Sequence, residues 1–125
     1  MRDFVRTAAC ALLIVGLAAG GVAERHMKLN KSQPEADMVI PESPSVIQAW
    51  FSQAPELSLS RIALEGPDGG VDLAAVRAGE EFSLLSEVPA GLRQGSYTIN
   101  WRTAGDDGHV VRGSFSFSVG STGSN

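Results

Sequence analysis

Two histidines occur in the chain of 125 residues, His26 and His109, together with a single cysteine, Cys10. His109 closes the tripeptide Asp107-Gly108-His109. Residues two apart on an extended segment project to the same side. Asp-x-His therefore offers a carboxylate and an imidazole to one ion. Imidazole nitrogen and carboxylate oxygen in a tetragonal arrangement suit Cu(II), and a free amine just before His26 would add a further nitrogen. The same residues also have a plainer use. Aspartate is a common turn former whose carboxylate accepts a bond from a nearby backbone N–H, and a histidine in a hairpin turn is ordinarily solvated. Spacing alone leaves both readings open.

The elements that must position these residues are short strands. Arg61 to Glu65 alternates with Ile62 and Leu64 inward, and Val46 to Phe51 puts Ile47, Ala49 and Phe51 on one face. Ser96 to Arg102 places Tyr97, Ile99 and Trp101 together. Gly113 to Val119 sets Phe115, Phe117 and Val119 against outward serines, the most regular alternation in the chain. Between these last two strands, Gly105-Asp106-Asp107-Gly108 turns the chain, which puts Asp107 and His109 at a hairpin tip. Pro67-Asp68-Gly69-Gly70 is a second turn, with a short return strand over Val71 to Leu73. Further short strands are expected over Met27 to Lys31 and Glu81 to Leu85, and a helical turn over Ala74 to Gly79. Tyr97, Trp101, Phe115 and Phe117 read as core, with Trp101 and Phe117 buried on facing strands. Many short strands between turns predict an all-β, immunoglobulin-like Greek-key sandwich or barrel.

Composition narrows the function classes. With 43% hydrophobic and 19% charged residues the chain has the means for one packed domain. Its net charge is -4, which disfavours nucleic acid and anionic membranes, since both require a basic surface. Arg2 and Arg6 precede an apolar and small-residue run from Thr7 to Ala23, and Gly21-Val22-Ala23 supplies the small residues of a cleavage site. The expected organisation is an export signal over 1–23, a β-domain over 24–119 and a flexible tail over 120–125, with a periplasmic or otherwise extracytoplasmic mature protein. Cys10 would leave with the signal, so neither disulfides nor thiolate ligands are expected in the domain. From residue 24 onward 8 Lys and Arg face 13 Asp and Glu, a net charge of -5.

The stretch from Gly95 to Val119, GSYTINWRTAGDDGHVVRGSFSFSV, closely resembles the C-terminal signature of CopC-type copper resistance proteins, approximately G-x-Y-x-V-x-W-R-x-x-S-x-D-G-H-P-x-x-G-x-F-x-F-x-V. Gly95, Tyr97, Trp101, Arg102, Asp107, Gly108, His109, Gly113, Phe115, Phe117 and Val119 match in unbroken register. His26-Met27-Lys28-Leu29 with Ser32 and Pro34 is similar to that family's mature start, H-A-x-L-x-x-S-x-P. The resemblance implies an immunoglobulin-like or cupredoxin-like barrel that binds Cu(II) through a mature N-terminal His and the Asp and His of D-x-H. Carried over, the metal ligands are His26, Asp107 and His109. It also implies a membrane copper-transport protein as partner, beside the copper ion itself. Val110 stands where the family has proline, and Gln53 where some members place a glutamate near the copper. Met27 and Met38 are the only methionines after the expected cleavage point, so a thioether Cu(I) site is not expected.

Three functions follow from these residues. The first is a monomeric Cu(II) carrier or buffer that sequesters or delivers copper and catalyses nothing. The second is a copper-free immunoglobulin-like interaction module. The third is a copper-dependent oxidative enzyme, against which stands Asp107 in the coordination space that oxygen chemistry needs open. Cleavage after Ala23 would leave Glu24-Arg25-His26. There the amine, two backbone amides and the His26 imidazole can fill a square plane without His109.

Overall fold

The computed structural model describes residues 27–120. The expected export signal, His26 and all of the expected tail except Gly120 lie outside the described residues. Within them run nine strands: β1 (Leu29–Gln33), β2 (Val39–Ile40), β3 (Val46–Phe51), β4 (Arg61–Gly66), β5 (Gly69–Val71), β6 (Arg77–Gly79), β7 (Ser83–Glu87), β8 (Gly95–Ala104) and β9 (Val110–Val119). They form two sheets, in the orders β1-β3-β7-β6 and β2-β9-β8-β4-β5. The chain crosses between sheets after β1, β2, β3, β5 and β7, the Greek-key habit of an immunoglobulin-like sandwich.

Each sheet turns one face inward because its strands alternate. In β3 Ile47, Ala49 and Phe51 are buried, as the alternation predicts. Ile62 and Leu64 of β4 and Tyr97 and Ile99 of β8 meet them from the other sheet. β8 and β9 pair over their full lengths, from Gly95↔Val119 to Ala104↔Val110. That hairpin is the spine of the molecule. Tyr97 stacks on Phe117 at 5.5 Å between ring centroids. The Tyr97 hydroxyl donates to the Arg93 carbonyl at 2.7 Å, tying the entry of β8 to the strand itself.

Five expectations change. The return strand expected over Val71 to Leu73 runs instead over Gly69–Val71, because the turn is tighter and Gly69 already pairs with Gly66. Trp101 and Phe117 are not opposite one another. They lie on adjacent strands of the same sheet, where Trp101 pairs with Gly113 and Phe117 with Tyr97. Phe117 is buried and Trp101 half-buried. The Trp101 indole lies across Gly113, where a Cβ would come within 2.6 Å of Cζ2, and it meets Phe51 edge-on at 5.3 Å. Ala74 to Gly79 holds no helical turn, because Arg77–Gly79 joins β7 as an edge strand. A lone helical turn fixes several dihedrals for one hydrogen bond, whereas the sheet edge offers ready partners. The strand expected at Glu81 starts at Ser83, after Glu81 and Phe82 turn the chain at φ of 61° and 62°. The strand expected at Met27 starts at Leu29, because Met27 is a core residue ahead of it. β2, a two-residue parallel pairing with β9, and a 3-10 turn over Leu57–Leu59 carry no alternation by which the sequence announces them.

Candidate metal centre

Asp107 and His109 sit where the β8–β9 hairpin reverses. Gly108 N–H donates to the Gly105 carbonyl at 3.0 Å, and Gly108 has φ of 79°, a left-handed conformation that suits glycine. The His109 backbone N–H then donates to Asp107 Oδ1 at 3.0 Å, and His109 Nδ1 lies 3.0 Å from Asp107 Oδ2. One carboxylate thus holds both the main chain and the ring of the same histidine. Those two bonds, the ring contact first, keep the Asp107 carboxyl below the usual carboxylate range. Both side chains remain open to solvent, with 74% exposure for His109 and 44% for Asp107.

This arrangement has a definite chemical meaning. With the ring proton on Nδ1, facing the carboxylate, Nε2 presents the lone pair that a metal ion takes. A carboxylate on the far nitrogen of an imidazole fixes its tautomer and orientation and raises its basicity toward the ion.

The hairpin tip is fastened to the other sheet. Gln53 lies against Gly105, where a Cβ would come within 2.3 Å of Gln53 Oε1. Gly105 therefore lets the segment after β3 approach the turn. One residue earlier, Ser52 is doubly tied to Lys28: its N–H donates to the Lys28 carbonyl and its Oγ accepts from the Lys28 N–H, both at 2.9 Å. Glu56 N–H donates to the Ala104 carbonyl at 2.8 Å. Met27, only 6% exposed, anchors the start of the described chain in the core beside these ties.

The structure therefore brings two of the three sequence-derived ligands together. The third, His26, lies outside the described residues, immediately before Met27. Among the described residues, no group of three His, Cys, Asp or Glu side chains comes together to hold a metal ion. Ser52 did not figure among the candidates. Its bonds to Lys28 span 24 residues, and no local pattern signals them. Also among the described residues, no helix is long and apolar enough to cross a membrane.

Comparison with known proteins bears on this geometry. A family model described as the CopC domain matches residues 29–120. Copper resistance protein C of Xanthomonas campestris pv. juglandis is 28% identical over 127 residues, which cover 95% of this chain and 99% of that one. Protein YobA of Escherichia coli K12 is 28% identical over 114 residues, covering 89% and 91%. The crystal structure of CopC from Methylosinus trichosporium OB3b superposes with a TM-score of 0.70 at 25% identity, covering 80% of this chain and 99% of that one. That of PcoC, a methionine-rich copper resistance protein from Escherichia coli, gives 0.68 at 28% identity, covering 75% and 98%.

Proposed function

The chain belongs to the CopC domain family, and from that premise we propose that it is an exported Cu(II)-binding protein that sequesters or delivers copper and performs no reaction on it. The observation that carries this reading is the Asp107–His109 pair, an imidazole at a hairpin tip already oriented by a carboxylate. We assign His109 and His26 as imidazole donors, with Asp107 beside the ion. Met27, the residue after His26, is packed at the end of the sandwich that carries the hairpin tip. That placement favours a site joining the N-terminal segment to the turn. Met27 is spent on the core and Met38 is exposed on its own, so a thioether Cu(I) site has no support here. We place the protein outside the cytoplasm, with a membrane copper-transport protein as its exchange partner.

A Cu(II) titration of the authentically processed protein, followed by electron paramagnetic resonance, tests this. One ion per chain is expected, with a spectrum of mixed nitrogen and oxygen donors. His109→Ala should weaken binding at least a hundredfold. A four-nitrogen spectrum that survives His109→Ala would instead place the copper on Glu24-Arg25-His26 alone and overturn the joined site.

A further inference from the structure

Five arginines lie among the described residues, and their surroundings differ sharply. Arg77 pairs with Glu87 at 2.9 Å and Arg93 with Asp68 at 3.0 Å. The other three stand in one row. Arg61 of β4 is directly opposite Arg102 of β8, and Arg102 is directly opposite Arg112 of β9. All three fall on the outer-face positions of their strands, alternating with the inward Ile62, Trp101 and Val111. Neighbouring strands lie about 4.8 Å apart, so the row is only about 10 Å long.

Like charges directly opposite one another across strands destabilise a sheet. The chain carries more carboxylates than cations, yet among the described residues none pairs with these three arginines. Glu65, the one acidic residue of β4 on that face, sits opposite Thr98, four residues along from the Arg61–Arg102 pair. Between and beside the arginines is a shallow depression of about 370 Å³, lined besides them by Ala63, Asn100, Trp101, Gly113 and Ser114. Its size falls in the range of small-ligand sites, which characteristically carry a few convergent polar groups. Asn100 and Ser114 are themselves opposite one another and add amide and hydroxyl groups to the guanidinium forks.

The geometry points to an oxyanion site on the outer face of the five-stranded sheet, in which Arg61, Arg102 and Arg112 hold a small multivalent carboxylate or phosphate. Guanidinium groups bind both bidentately through paired N–H donors, and a multivalent anion neutralises a row that otherwise repels itself. The acidity of the rest of the chain makes the row a local exception, so selectivity comes from the three forks and not from net charge. The site is separate from the Asp107–His109 pair and does not depend on copper.

The test uses the metal-free exported protein, titrated with citrate and separately with inorganic phosphate at ionic strength held constant by sodium chloride. Amide resonances of Asn100 and Ser114 and the arginine Nε–H signals should shift saturably, with one anion per chain. Saturation by citrate alone identifies a polycarboxylate site and by phosphate alone a phosphate site; either supports the assignment. In Arg61→Gln/Arg112→Gln the affinity should fall at least tenfold. The saturating anion should raise the melting temperature of the wild type and leave that of the double variant unmoved. Shifts that stay linear in both anions, or an equal rise in melting temperature with and without the two arginines, would overturn the site.

Discussion

At the scale of single residues, the hairpin tip concentrates the chemistry. Asp107 holds His109 by ring and by backbone, so its removal should loosen the imidazole without removing the donor. Asp107→Asn is expected to weaken Cu(II) binding about 10–100-fold, the usual cost of losing an orienting carboxylate, against the larger loss for His109→Ala; calorimetric titration of both variants checks the order. The same bonds have a consequence for acid stability. The folded-state pKa of Asp107 is lowered by His109. Its contribution is therefore fully present above the unfolded aspartate value of about 3.9 and is lost as pH falls through the lower folded value. Melting temperatures of wild type and Asp107→Asn should differ near pH 6 and converge once pH has fallen below the usual aspartate range; a difference that stays constant through that fall would refute the linkage. Asp107 and His109 were legible in the sequence because period-two spacing and turn chemistry act locally. The role of the carboxylate was less so, since D-x-H reads equally as two ligands or as a ligand with its support. The 3.0 Å contact to Nδ1 favours the second arrangement.

At the scale of elements, long alternating strands announce themselves and short ones do not. β3 and β4 follow from their alternation because each buries every second residue on the core. β2 and β6 owe their existence to an already formed neighbour, β9 or β7, so no local preference encodes them. The placing of Trp101 was missed for a related reason: facing across a pair is set by register, and the register gives Trp101 a glycine. That glycine is needed. Gly113→Ala would drive a methyl group into the indole and should cost about 1–3 kcal/mol, as overpacking generally does, with a change in Trp101 fluorescence as the Phe51 contact is disturbed. Phe117, buried and stacked on Tyr97, lies at the other end of the hairpin. Phe117→Ala should cost about 3–5 kcal/mol by denaturant unfolding; a loss under about 1 kcal/mol would contradict the register.

At the scale of the whole molecule, the two sheets meet through a core that the inward residues made foreseeable, whereas the ties that bind Lys28 to Ser52 and Glu56 to Ala104 join segments far apart in sequence. The arginine row was hidden for the same reason, because its members come from three strands. The spine hairpin also has two unequal arms. Thr98 to Arg102 of β8 is bonded to β4 on one side and β9 on the other. On the outer edge of β9, backbone bonding among the described residues begins only at Ser116, which accepts from Asp37 N–H, and continues through Ser118 and the β2 pairing. Among the described residues, Val110 to Phe115 is therefore held from one side. Amide exchange with deuterated water should expose that asymmetry: β8 protected to the limit of global unfolding, the first half of β9 opening locally at much lower free energy. Copper held at His109 would stitch the loose arm to the N-terminal segment, and exchange at Val110 to Arg112 should slow on metal loading while that of Thr98 to Arg102 stays the same. The tip would then be a clasp on a rigid bar, one arm fixed and the other free to close when the ion arrives.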